Sequence, residues 1–375
     1  MHNELYDANY LEVSRDALRR NAKAVTDYVK TRVIGVLKFD GYFLSIEEAA
    51  RAWQSVGVTM FAVSESWEAL QLRKVGFTED ILLMAPVVDE KTLAELVAAE
   101  IILTVSDLEN AKFYLSGGAK RVHVKVDTGM GRFGIDHRNL EQIKAVYALE
   151  GLSFEGIYSH FGKAYEKEYK LCKLQLRRFE AVLGQLEEAG IRVGMRHIAS
   201  SAAALRFPET WMDAVRVGSA LVDGLLCPVD VKLEKPHVCK ARVVAVKHLQ
   251  KGDTLGYGSV CKAKRPTKTI VVAVGQETGL GWNGSPEPVP LLDFAVYLYH
   301  QLLRYRRPTP VTFNGKTLPM IGRIGTQYTQ FDATGVDIKP GDFVEVRIPL
   351  ISCTAKLIYK SGIKTAPKLR GGFYT

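Results

Sequence analysis

The stretch Val33-Ile34-Gly35-Val36-Leu37-Lys38-Phe39-Asp40-Gly41-Tyr42 runs five apolar or small residues into a lysine and then into a glycine-containing turn. That pattern reads as a fully buried strand whose carboxyl end delivers Lys38 into a site. A lysine there has two uses. It can snorkel to solvent, or it can present an amine that forms a Schiff base with a carbonyl cofactor such as pyridoxal 5'-phosphate (PLP). One strand leaves both open.

Other strand-like runs end in polar residues of a matching kind. One passes into Lys125-Val126-Asp127-Thr128-Gly129-Met130-Gly131-Arg132-Phe133-Gly134, another ends in Ser159-His160-Phe161, and a third in His197-Ile198-Ala199-Ser200-Ser201. A last one carries Arg216, followed by Gly218-Ser219. In barrel enzymes the active residues sit at the carboxyl ends of strands, and phosphate binds after the last two. Ser200, Ser201, Gly218 and Ser219 suit that cradle. Each also has a plain reading: a serine caps the next helix, a glycine eases tight packing, and a lone histidine is more often a satisfied structural one. The conjunction of a first-strand lysine, a last-strand arginine and a phosphate cradle is more specific than any member.

These residues need a scaffold to bring them together. Apolar runs near 33–38, 59–64, 81–85, 101–105, 121–126, 153–159, 195–199 and 213–217 alternate with helical stretches such as Ile46–Trp53, Ser66–Val75, Glu90–Ala99, Asp107–Leu115 and Glu168–Ala189. Eight strands alternating with helices indicate an α/β fold with an N-terminal (β/α)8 TIM-type barrel. No G-x-G-x-x-G follows the first strand to favour the open doubly wound rival. Beyond about residue 230 the pattern turns to period-two strands such as Val238–Val246, separated by turns at Asn314-Gly315 and Lys339-Pro340-Gly341-Asp342. This predicts a C-terminal, mostly antiparallel β domain with one helix near Leu291–Leu303. The expected division is a barrel over 10–230 and a β domain over 231–375, with residues 1–9 packing on the latter.

Across the 375 residues, 47% are hydrophobic and 24% charged, an ordinary globular balance that argues against disorder. The net charge of +9 is spread along the chain without an aromatic platform, so no nucleic-acid partner is expected. No apolar run is long enough for a membrane span, and Met1-His2-Asn3-Glu4 has no signal-like apolar region. Five scattered cysteines (Cys172, Cys227, Cys239, Cys261, Cys353) form no C-x-x-C pair. Reduced thiols, no metal site and a cytoplasmic location are the expectation.

From about Leu11 to Asp342 the chain resembles the alanine racemase family. The resemblance rests on Lys125–Gly134, Val215-Arg216-Val217-Gly218, Gly256-Tyr257-Gly258 and Gly322-Arg323-Ile324. It implies a PLP enzyme with a barrel and a C-terminal β domain, working as a head-to-tail homodimer on a small amino acid. Lys38 then matches the lysine that holds PLP and acts as one base, and Tyr257 the second base, reaching the partner's site. Arg216 matches the arginine at the pyridine nitrogen, supported by His197. Tyr42, Ser201, Gly218 and Ser219 fall on phosphate positions. Arg132 lies near the cofactor's phenolic oxygen and the substrate carboxylate, and Lys125 matches a lysine that is often carboxylated.

The chemistry fits those assignments. Racemisation removes a proton from one face of the α-carbon and returns it on the other, so two different bases suit it. A free tyrosine, with a pKa of roughly 10, needs neighbouring positive charge, such as Arg132 or His160, to act near neutrality. An arginine at the pyridine nitrogen leaves that nitrogen unprotonated and the ring a weaker electron sink.

Departures from the family cluster around the substrate. Asp40-Gly41-Tyr42 replaces Asn-Ala-Tyr, Ser200-Ser201 replaces Asn-Ser, and Tyr165 stands where an acidic residue is expected. Gly275-Gln276-Glu277-Thr278-Gly279 replaces Gly-Tyr-Ala-Asp-Gly, and Gly325-Thr326-Gln327-Tyr328 replaces Cys-Met-Asp-Gln, which puts Thr326 at the substrate carboxylate. The 280–321 stretch is also longer than usual. Alanine is the expected substrate, with serine, lysine or arginine as alternatives. A PLP aldolase or decarboxylase, or a PLP-binding protein without catalysis, are the rival readings.

Overall fold

The structure, a computed structural model, describes residues 8–166, 169–222, 225, 227–282 and 310–360. It divides into two compact units, one spanning Arg15–Pro236 and the other joining the chain before Arg15 to the chain from His237 onward.

The first strand, β1 (Asn9–Ser14), belongs to the second unit. The barrel follows with β2 (Arg32–Val36), β3 (Met60–Val63), β4 (Asp80–Leu83), β5 (Ile102–Val105) and β6 (Arg121–Asp127). The two-residue β7 (Ile135–Asp136), β8 (Ser153–Tyr158), β9 (Met195–His197) and β10 (Ala214–Val217) complete it. Parallel pairing runs β5-β4-β3-β2-β10-β9-β8-β6 and closes between β5 and β6, with β7 beside the end of β6. Every residue of β3, β5 and β10 is buried, as strands covered on both faces require. Ile34, Val36, Met60, Ala62, Leu82, Ile102, Tyr158 and Ala214 pack together as one buried cluster. Three of the intervening helices start on side-chain caps: Asp89 accepts from the Thr92 amide, Asp107 from Asn110 and Asn139 from Gln142.

The expected strand through Lys38 ends early, at Val36. Phe39 to Phe43 then all take positive φ, so the chain makes a left-handed turn directly after the lysine. Sequence alone marks only Gly41 for such a conformation.

In the second unit β11 (His237–Leu249) is the long central strand. It precedes β12 (Thr254–Leu255), β13 (Cys261–Lys262), β14 (Thr267–Val272), β15 (Val311–Phe313) and β16 (Lys316–Leu318). β17 (Thr329–Asp332), β18 (Phe343–Val346) and β19 (Lys356–Lys360) follow. One sheet runs β16-β15-β18-β11-β1-β19, with β14 pairing both β11 and β17. Only β1–β19 is parallel in it. Residues 10–14, grouped with the barrel on sequence, therefore lie in this sheet: Leu11 pairs with Cys239 on one side and Leu357 on the other. Its partners are hundreds of residues away, which a local pattern cannot reveal. The helix expected near Leu291–Leu303 lies outside the described residues.

Candidate active site

The carboxyl ends of the barrel strands meet at a cavity of about 500 Å³. It is lined by Lys38 and Tyr42 from the left-handed turn, Lys125 from β6, and Arg132 from the glycine-rich loop beyond it. His160, Ser200, Ser201, Arg216, Gly218 and Ser219 line it as well. Ten of the residues singled out on sequence thus share one site. His197 lies beneath, fully buried, as support for Arg216. Tyr257, at the start of the Tyr257–Ser259 turn, and Thr326, whose carbonyl accepts from the Glu277 amide, belong to the second unit.

Arg216 organises the floor. Its guanidinium reaches His197 Nδ1 at 2.6 Å, His160 Nδ1 at 3.1 Å and the Ser159 carbonyl at 2.7 Å. It also donates to the carbonyls of His197 and Ile198, both at 3.2 Å, and sits 5.0 Å over the Tyr158 ring. An arginine can only donate, so both histidines present an unprotonated Nδ1 and carry their proton on Nε2. His197 Nε2 then faces His123 Nδ1 at 3.0 Å and donates to it. Burial and the Arg216 charge hold His160 and His197 well below the usual histidine range, and burial pushes His123 down to about 3. This corrects one expectation. His160 is neutral near pH 7 and cannot supply the positive charge that would acidify a tyrosine; Arg132 remains for that. Burial also lowers Arg216 to about 10, which leaves it charged at neutral pH.

Around Gly218 the packing is tight. The Ser201 hydroxyl accepts the Gly218 amide at 2.9 Å, and the Tyr42 hydroxyl bonds the Ser219 backbone. A Cβ on Gly218 would collide with the Tyr42 hydroxyl, so glycine is required there for closeness and not for φ. Ser200 takes the N-cap position of the short helix Ser201–Arg206, with no cap bond from its side chain.

Two amines complete the cavity. Burial lowers the Lys38 pKa, as does Arg132, while Glu68 opposes them. Lys125, 4% exposed, is pushed down to about 7 by burial, then by Arg132 and Arg216. It lies 5.4 Å over the Tyr158 ring and 5.1 Å over Phe133. Between about pH 7 and the ordinary lysine value near 10.4, the unfolded chain holds this proton and the folded one does not. Stability should therefore rise with pH across that window. Lys125→Met should flatten that slope and raise the urea midpoint at pH 7; an unchanged slope would contradict the buried, depressed amine.

Sequence reasoning missed Tyr158, Phe39, Phe133 and Glu65 as lining residues, and His123 beneath the floor, whereas Tyr165, singled out as a departure near the substrate, does line the cavity. Tyr158 had a signal: it ends a buried strand one residue before Ser159-His160. The exposed Phe39 had none, since it looks like a loop residue.

An amine-bearing (β/α)8 barrel with an arginine floor and a glycine–serine phosphate cradle, joined to a β domain, has the form of a PLP-dependent enzyme. The comparisons with known proteins narrow this. The family description "Alanine racemase, N-terminal domain" matches residues 13–224, and "Alanine racemase, C-terminal domain" matches 237–349. The alanine racemase of Desulforamulus reducens is 34% identical over 284 residues, covering 72% of this chain and 76% of that protein. That of Desulfosudis oleivorans is 32% identical over 360 residues, covering 90% and 86%. Among solved structures, the Clostridium difficile alanine racemase superposes with a TM-score of 0.83 at 21% identity, covering 98% of this chain and 99% of that one. A Bacillus anthracis alanine racemase with bound L-Ala-P gives 0.80 at 24% identity, covering 97% and 98%. The chain belongs to the alanine racemase family.

Proposed function

We propose that this protein is a PLP-dependent alanine racemase that interconverts L- and D-alanine. The observation that carries the reading is the gathering of Lys38, Tyr42, Arg132, Arg216, Gly218 and Ser219 around one cavity by three different strand ends. The residues fit the cofactor: the Gly218 cradle has no room for a side chain, and the cavity is rich in cations suited to a phosphate and a carboxylate.

Lys38 would hold the cofactor's carbonyl carbon; Tyr42, Ser200, Ser201, Gly218 and Ser219 its phosphate; and Arg216 its ring nitrogen. When bound, PLP draws electrons from the substrate's α-carbon and acidifies the α-proton. The rest falls to the protein. The Lys38 amine, with its pKa already lowered by burial, takes or returns the proton on one face. Tyr257 does the same on the other, contributed by a second copy of the chain. Arg132 and Thr326 orient the substrate carboxylate. The neutral His160 and His197 accept from Arg216 and hold it in place, and the guanidinium, charged at neutral pH, would donate to the ring nitrogen and leave it unprotonated. A Lys125 pKa near 7 provides the free amine that carboxylation requires, and a carboxylated Lys125 would pair with Arg132. A homodimer and a cytoplasmic location complete the reading; among the described residues no helix is long and apolar enough to cross a membrane.

The test is a chiral assay of the purified protein with PLP on L-alanine, L-serine, L-lysine and L-arginine. D-alanine as the fastest product is the expected result. Faster racemisation of another amino acid would reassign the substrate, and no D-isomer from any of them would overturn the reading.

A further inference from the structure

The turn that aims Lys38 is strained. Phe39, Asp40, Gly41, Tyr42 and Phe43 have φ of 57°, 50°, 66°, 58° and 66°, and only one of the five is glycine. A left-handed conformation is disfavoured for an L-residue, so the surroundings must hold this turn in place. One side is closed by Asp40, whose carboxylate accepts the Ile46 amide at 2.8 Å. The other side rests on Glu68. This carboxylate, on the helix Ser66–Lys74, is fully buried. It accepts the amides of Ser64 at 2.9 Å, Glu65 at 3.0 Å and Asp40 at 3.3 Å, and that of Phe39 as well. One side chain thus ties the backbone after β2 to the backbone after β3. The cap of its own helix accounts for the Glu65 bond; it does not account for the bonds to Phe39 and Asp40.

We infer that Glu68 is a positioning residue for the cofactor site: it clamps the left-handed turn so that Lys38 and Tyr42 face the cavity. The inference rests on Lys38 being the cofactor lysine. Burial raises the Glu68 pKa, and the amides bonded to it hold it down. Its charge in turn opposes the loss of the Lys38 proton.

The test uses the full-length protein stripped of cofactor and titrated with PLP, following the visible absorbance that develops when PLP reacts with Lys38. Glu68→Gln removes the charge and turns an NH2 group toward backbone donors. Glu68→Asp keeps the charge on a stem too short to reach both strand ends. The expected results are a PLP dissociation constant raised at least roughly tenfold in both variants, and in Glu68→Gln a pH midpoint of the absorbance lowered by about one pH unit. Adding Phe43→Gly to Glu68→Gln should recover part of the affinity, because glycine relieves a left-handed position that lies outside the cavity lining. Wild-type affinity and midpoint in both variants, whatever their melting temperatures, would overturn the inference and leave Glu68 as a helix cap. Loss of the folded barrel in both would also contradict it, since the effect must be local to the turn. A wild-type protein that develops no absorbance with PLP overturns the reading of Lys38 itself, a result distinct from either of these.

Discussion

Lys38→Ala should fall to the uncatalysed rate of racemisation, a loss of at least about a million-fold, while the fold is retained. The argument is geometric. Lys38 opens the left-handed turn at the cavity with its Nζ 5.0 Å from the Phe39 ring and 6.0 Å from that of Tyr42. Both cavity amines lose affinity for protons through burial, but Lys125 lies on β6, within a strand, whereas Lys38 is placed by the turn that also carries Tyr42. Lys125 therefore cannot stand in for it. Because burial disfavours the charged Lys38 amine, alanine at this position should leave the melting temperature unchanged or slightly higher. Tyr257→Phe should lose about a hundred- to ten-thousand-fold, as removal of one proton-transfer group does. Mixing the two inactive variants should restore about a quarter of wild-type activity if subunits exchange at random and each site takes its tyrosine from the other copy. No recovery would place Tyr257 in the same subunit's site.

Arg216→Met should destabilise the fold by about 3–5 kcal/mol, read as a lower urea midpoint, because it strips one partner from a fully buried charged network. Three carbonyls and two imidazoles would be left facing a thioether. A second readout separates this from simple loss of packing. The Arg216 charge is, after burial, the largest force lowering the pKa of His160 and His197. Without it both should move up toward the ordinary value, followed as histidine ring signals by NMR against pH. Sign matters here. A histidine whose folded pKa lies below its unfolded one binds fewer protons when folded, so these two histidines cost stability as the pH falls below about 6.5. The variant should therefore lose less stability on acidification than the wild type, from a lower starting point. Histidines that stay neutral throughout in the variant would show that burial alone sets them.

Much of the barrel was legible because its strands are continuous apolar runs. Ile81–Leu83 and Ile102–Val105 could hardly be anything but covered strands, and the polar residues singled out after β2, β6, β8, β9 and β10 fell into one cavity as that topology requires. What stayed hidden depends on tertiary partners. Tyr10–Val13 reads as a strand, but its neighbours, His237–Lys240 and Lys356–Tyr359, are remote in sequence. The left-handed turn carries a single glycine, and its conformation depends on Glu68, which in the sequence looks like one more charge near a helix start. His160 looked available as a cation until the structure placed Arg216 3.1 Å from its Nδ1. The short helix Ser201–Arg206 is below the length at which periodicity is readable.

The most direct single measurement is the incubation of the purified protein with PLP and L-alanine in heavy water, with the products resolved by chirality and mass. Two-base racemisation predicts D-alanine carrying deuterium at the α-carbon and an approach to equal amounts of the two enantiomers, abolished in Lys38→Ala. D-alanine without α-deuterium, or consumption of L-alanine to a keto acid or an amine, would contradict it.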